Sequence, residues 1–171
     1  MEPTIVERDQ IILVGMSFFG DPFATSGGWT EENEIGRLWG RFMAYLETHG
    51  DRIRHMVDRE CGYEVHIEHP ETSAKGHYEV FAGVEVSRLE QLPPHLLVKF
   101  LPPSQYAVFT LAGEEITSDW ARMIYQDWMP ESGYEQAHGY AFQVYDQRFK
   151  GMEQLEASVL DLYIPVKPLQ D

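Results

Sequence analysis

The sequence of 171 residues predicts an α+β fold: a single domain, 1–171, in which a β-α-β-β unit occurs twice, over residues 1–90 and 91–171. Three observations predict it. Each half opens on a β-rich run, continues into a segment with apolar residues three and four apart, and closes on two half-apolar strand segments. Gly-, Pro- and Ser-rich stretches separate these segments. Apolar residues make up 43% of the chain and aromatics 13%, which supports a packed core and argues against disorder. Two such units can join their strands into one curved antiparallel sheet with two main helices on one face. The other face, or the groove between the halves, is then free for a ligand.

In the first half, residues 4–19 read as the opening strand, centred on Ile11-Ile12-Leu13-Val14-Gly15-Met16. A loop over 20–29 follows. Thr30 reads as a helix N-cap, with Asn33 or Glu34 near the reciprocal position. Ile35, Leu38, Trp39, Phe42 and Leu46 then form one apolar face of a helix ending near Gly50. Two strands come next, over 63–68 and 76–86. In the second, Tyr78, Val80, Ala82, Val84 and Val86 face one way, and Glu79, Phe81 and Glu85 the other.

The second half follows a linker, Leu92-Pro93-Pro94-His95. Residues 96–100 and 105–110 read as one strand region interrupted by prolines. Ile116, Trp120, Met123 and Ile124 mark the core stripe of a helix that stops at Pro130. Strands over 140–148 and 158–166 complete the pattern.

Composition narrows the function. With 28 acidic and 13 basic residues the net charge is −15, which repels nucleic acid and anionic membranes. The lone Cys61 rules out an intramolecular disulfide; as a nucleophile it needs an adjacent base, for which His66 is a loose candidate. No apolar run reaches the ~18–20 residues of a membrane span, and the N-terminus lacks a signal-peptide pattern. A cytoplasmic protein without direct nucleic-acid or membrane contact is expected. His66 and His69 stand at odd spacing on a strand and face opposite ways, and neither CxxC nor HExxH occurs, so no metal is expected. Ser17, Ser104 and Ser118 lie in no G-x-S-x-G context, and no dinucleotide or P-loop glycine pattern is present, so no cofactor is expected.

The candidate site comes from strand alternation. On the strand 140–148, Phe142 and Val144 take the core face, leaving Gln143 and Tyr145 opposite. On the last strand Leu160, Leu162 and Ile164 are core, leaving Asp161 and Tyr163. If the two strands are neighbours, Gln143, Tyr145, Asp161 and Tyr163 form one patch of two aromatics and two polar groups. Aromatic faces contribute ~0.5–2 kcal/mol each to holding an organic cation, and a carboxylate supplies the counter-charge. Trp39 and Trp120 fall on apolar stripes, where core packing is the ordinary role. Trp128, beside Pro130 at a helix end, suits a pocket rim. Glu79, with Phe81 beside it, is either a second carboxylate of the groove or a surface acid.

Several of these pieces occur in a recognisable order: Tyr106-Ala107-Val108-Phe109, Ile124-Tyr125, Trp128-Met129-Pro130, Ser132-Gly133-Tyr134, Phe142-Gln143-Val144-Tyr145-Asp146 and Asp161-Leu162-Tyr163-Ile164-Pro165-Val166. With them the chain resembles the GyrI-like, or AraC-type, effector-binding family. Ile12-Leu13-Val14-Gly15 and Gly83-Val84-Glu85-Val86 extend the resemblance into the first half. It implies a duplicated Rob/GyrI-like fold with a ligand cleft between the repeats. It also implies kinship with the drug-sensing parts of multidrug transcription regulators. A chain that opens directly on the first repeat resembles the stand-alone members.

The resemblance also exposes one departure. The family pattern carries a glutamate where this chain has Gln143. In the family that glutamate is the counter-charge for cationic drugs, and in its hydrolases the acid/base group. Glutamine cannot ionise, which removes a buried charge worth ~2–5 kcal/mol to a cation. Asp161 or Glu79 is the expected substitute. Three functions follow in order. The first is binding of a small aromatic ligand, cationic or neutral, by Trp39, Trp128, Gln143, Tyr145, Asp161 and Tyr163, with Glu79 and Phe81 adjoining. The second is hydrolysis of an electrophilic, cyclopropane-bearing toxin with Asp161 or Glu79 as general base. The third is an acidic inhibitor that binds a basic protein partner of the gyrase type. The chain is expected to be a monomer or dimer.

Overall fold

The computed structural model describes residues 2–169. Nine strands form one antiparallel sheet: β1 (Thr4–Arg8), β2 (Ile11–Gly20), β3 (Gly62–Ile67), β4 (Tyr78–Glu85), β5 (Leu97–Leu101), β6 (Ser104–Ala112), β7 (Tyr134–Gln136), β8 (Tyr140–Tyr145) and β9 (Val159–Pro168). Their order is β1-β6-β9-β8-β3-β4-β2-β5, with β7 added beside the C-terminal end of β9. Exchanging β1 with β5, β2 with β6, β4 with β9 and β3 with β8 leaves this order unchanged. The sheet therefore has a two-fold pattern whose axis passes between β3 and β8.

Two short links dictate its shape. β1 and β2 are joined through Asp9 and Gln10 yet stand first and seventh in the sheet. In a flat sheet they would lie roughly 29 Å apart, at about 4.8 Å per strand. Three residue steps reach only about 11 Å. The Pro102-Pro103 link between β5 and β6 sets the same condition. The sheet must curl until its edges approach. Arg8 of β1 consequently reaches Glu85 of β4, at 3.4 Å.

Curling buries both faces. Inside the curl lie Ile11, Leu13, Tyr63, Val65, Phe81, Leu101, Tyr106, Tyr140, Phe142 and Val144. Outside it, one core joins Val14, Val80, Ala82 and Val84 to Leu38 and Phe42 of α1 (Glu34–His49). Another joins Phe109, Leu111, Leu160, Leu162 and Ile164 to Ile116 and Ile124.

The start of α1 differs from the expected cap. Asn33, 2% exposed, is the N-cap: its Oδ1 accepts from Gly36 N at 2.9 Å and its Nδ2 donates to Gly28 O at 2.7 Å. Thr30 instead accepts from Glu32 N, making a turn just before the helix. The cap needs a side chain that both accepts and donates here, and threonine lies too far upstream.

Three further expectations are corrected. The opening strand is two strands, because residues 4–8 pair with β6 and residues 11–20 with β4 and β5. The proline-interrupted region is likewise two strands, β5 at one edge of the sheet and β6 next to the opposite edge strand. The second helix is not continuous: a 3₁₀ turn (Gly113–Thr117), a short α turn (Trp120–Arg122), a π turn (Met123–Trp128) and a 3₁₀ turn around Pro130 succeed one another. Asp119 caps the α turn by accepting from Arg122 N. The changes of pitch keep Ile116, Ile124, Trp128 and Met129 on the sheet while Pro130 offers no N–H to continue.

Cys61 packs toward the core inside the curl. Burial, and then the charges of Asp58 and Asp146, push its thiol up to about 11. It stands on the face opposite His66, so that histidine does not adjoin it. Alkylation by iodoacetamide at about neutral pH is expected to be more than tenfold slower than that of free cysteine. A matching rate would contradict the placement.

Candidate functional site

The centre of the sheet is the β3–β8 pair. Its register sets Gly62 opposite Tyr145, Glu64 opposite Gln143 and His66 opposite Ala141. Glu64 and His66 also pair with Ala82 and Val80, whose side chains meet α1, so this set faces the helices. It lies between the ground covered by α1 and that covered by the irregular second helix.

Glu64 is 3% exposed and Gln143 3%. Trp39 on α1 donates its Nε1–H to Glu64 Oε2 at 2.6 Å, and His66 Nε2 lies 2.7 Å from Oε1. The Tyr145 hydroxyl donates to Gln143 Oε1 at 2.7 Å and lies 3.4 Å from Glu64 Oε2. Burial pushes the Tyr145 phenol well up, and the Glu64 charge and hydrogen bond push it further. Tyr78, whose ring is 5.4 Å from His66, is also raised, by burial first and then by Glu64. Both phenols therefore stay protonated around the acid.

A chain of aromatic rings runs outward from this acid. Trp39 meets Tyr145 edge-on at 5.3 Å, Tyr145 meets Phe149 at 4.9 Å, and Phe149 meets Trp29 at 6.5 Å. A carboxylate with aromatic walls attracts a flat or aryl-bearing cation by charge and by ring quadrupole together.

Trp39, Gln143 and Tyr145 of the nominated residues come together here. Asp161 and Tyr163 do not. β8 and β9 are neighbours, but Val144 pairs with Asp161, Phe142 with Tyr163 and Gln143 with Leu162. The apolar stripes of the two strands face different cores, one inside the curl and one under the helices, so the four residues cannot share a patch. Asp161 accepts from Thr110 at 2.7 Å and pairs with Arg148, while Tyr163 stacks on Phe142 at 4.7 Å. Glu79 and Phe81 also face into the curl. Phe81 is fully buried, and Glu79 pairs with Lys99 at 2.7 Å and His69 at 3.3 Å. Asp161 and Glu79 are both held in ion pairs and face the other side of the sheet from Gln143. Trp128 lies on the helix side of the sheet but sits on Phe109 at 5.2 Å, two strands from Gln143.

Burial pushes the Glu79 carboxyl up, but hydrogen bonds from Lys99, His69 and Ser17, with the Lys99 charge, outweigh it and hold it below the usual range. A value lower in the folded state stabilises the fold above the unfolded pKa of about 4.3 and stops doing so as pH falls through the folded value. Glu79→Gln is expected to flatten the loss of stability below about pH 4 in urea unfolding. An unchanged acid limb would contradict the pairing.

Sequence reasoning missed Glu64, His66, Tyr78, Phe149 and Trp29. A signal for Glu64 was present: Tyr63-Glu64-Val65-His66 matches Phe142-Gln143-Val144-Tyr145 in kind at each position. The two-fold axis sets the matched residues Glu64 and Gln143 directly opposite.

The family model of integron-associated effector-binding proteins, Cass2, matches residues 4–166. The chain belongs to this family. The transcriptional regulator BrlR of Pseudomonas aeruginosa PAO1 is 33% identical over 168 residues, covering 97% of this chain and 56% of the regulator. The chain thus spans little more than half of that relative. SAV2435, solved bound to tetraphenylphosphonium, has a TM-score of 0.68 at 16% identity, covering 98% of this chain and 94% of that one. An integron cassette protein from the mobile metagenome of Vibrio cholerae has a TM-score of 0.62 at 17% identity, covering 98% and 97%. These likenesses agree with the effector-binding resemblance and with an α+β fold on an antiparallel sheet. Among the described residues no helix is long and apolar enough to cross a membrane.

Proposed function

We propose that this effector-binding protein takes a small aromatic cation on the helix side of β3 and β8. Glu64 supplies the counter-charge, Tyr145 an aromatic contact and Gln143 a neutral hydrogen-bonding partner, with Trp39 at the same acid. The observation that carries this reading is Glu64 itself, a carboxylate 3% exposed among aromatic rings at the sheet's axis. Buried acids of this kind are costly unless a partner repays the lost hydration. The tetraphenylphosphonium bound by SAV2435 is an aryl cation, which supports the same ligand class.

Gln143 then has a physical reason. A glutamate there would set two carboxylates directly opposite in adjacent strands, where like charges repel and one takes a proton. In this chain the acid stands across the axis from Gln143, on β3.

Charge preference tests the reading. Calorimetric titration is expected to show saturable binding of tetraphenylphosphonium and at least tenfold weaker binding of the neutral triphenylphosphine oxide. Equal affinity for the two would remove the role of a counter-charge.

A further inference from the structure

The Glu64 carboxylate already has an aromatic occupant. The Trp39 indole donates to it at 2.6 Å. The far edge of the same ring lies over Gly62. A Cβ on that glycine would fall 2.8 Å from Trp39 Cη2 and 3.2 Å from Cζ3. Tyr145, opposite Gly62 in the register, closes the slot edge-on. A missing side chain, an aromatic flank and an acid thus make a seat for a planar ring with a hydrogen-bond donor, and the chain's own tryptophan fills it.

We propose that Trp39 is an internal ligand of this seat, and that an aromatic cation binds by displacing it from Glu64. The inference rests on the function proposed above and adds the competitor that sets its affinity. Leu38 and Phe42 are fully buried and anchor α1, while Trp39 is only part-buried, so rotation of one side chain vacates the acid. Apparent affinity falls in proportion to the fraction of molecules in which the seat is empty. A neutral aromatic does not repay the lost indole hydrogen bond, whereas the Coulomb attraction of a full positive charge to a buried carboxylate does. Trp39 therefore acts as a specificity-determining residue, screening out neutral aromatics.

Two variants empty the seat by different routes. Trp39→Phe removes the N–H and keeps a ring on the helix. Gly62→Ala keeps the tryptophan and pushes its far edge out, because the atoms it meets are the mobile end of a side chain and not backbone. Tetraphenylphosphonium binding is measured by calorimetry on the wild type, both variants and Glu64→Gln, with melting curves to confirm folding. Both seat variants are expected to bind about tenfold or more tightly than the wild type, and Glu64→Gln far more weakly. Wild-type binding that depends on Glu64 but is exceeded by neither seat variant overturns the displacement and leaves the site reading intact; Trp39 is then a wall of the site. Absence of binding to all four proteins overturns both.

Discussion

Replacing Glu64 by glutamine is expected to weaken tetraphenylphosphonium binding by at least ~30-fold while leaving the fold in place. Removing one partner of a buried charge contact costs about 2–5 kcal/mol, and the lower figure is already ~30-fold in affinity. Glutamine has the same shape, and its carbonyl still accepts the Trp39 N–H, now 2.6 Å from Glu64 Oε2. It also removes a carboxylate that is 3% exposed, so thermal stability is expected to hold or rise. Binding of triphenylphosphine oxide, which has no charge to compensate, is expected to change less than threefold. Equal losses for cation and neutral compound, or a collapse of melting temperature, would make Glu64 a structural residue.

Gly15→Ala is expected to destabilise the protein by at least about 3 kcal/mol, a large part of the stability of a domain this size. A Cβ at Gly15 would lie 2.0 Å from Ala82 O and 2.6 Å from Gly83 Cα, both backbone atoms of β4. No rotamer relieves such a contact; β2 and β4 must part. Gly15 faces Gly83 across the pair, and their bareness lets the curled strands approach. Gly40→Ala is the control: a Cβ there meets nothing within 4 Å, on a helix. It is expected to stabilise by ~0.5–1 kcal/mol. Urea midpoints separate the two; a Gly15→Ala midpoint near wild type would mean that β2 and β4 pack more loosely than described.

Local patterns in the sequence reveal local structure. The stripe Leu38, Phe42 and the alternation Val80, Ala82, Val84 mark α1 and β4, because their partners lie on one side of each element. The break at Asp9-Gln10 has no proline or glycine to announce it, and only the non-local pairing of β1 with β6 reveals it. The site fails to emerge for a related reason. Alternation tells which side chains share a face of one strand, but it does not tell which core that face meets. Phe142 and Leu162 are both apolar and both buried, yet they point to opposite sides of the sheet. Assigning them one core brought Asp161 to Gln143; the register brings Glu64 there instead. The faces that Trp39, Gln143 and Tyr145 occupy are legible, because helix and strand periodicity assigns each without reference to a neighbour.

The most direct test locates the ligand. Crystals soaked with tetraphenylarsonium, in which arsenic scatters anomalously, are expected to show an arsenic peak on the helix side of β3 and β8, beside the Glu64 carboxylate and in contact with Tyr145. A peak inside the curl, beside Asp161 or Glu79, or at the surface near Trp128, would contradict the site proposed for this protein.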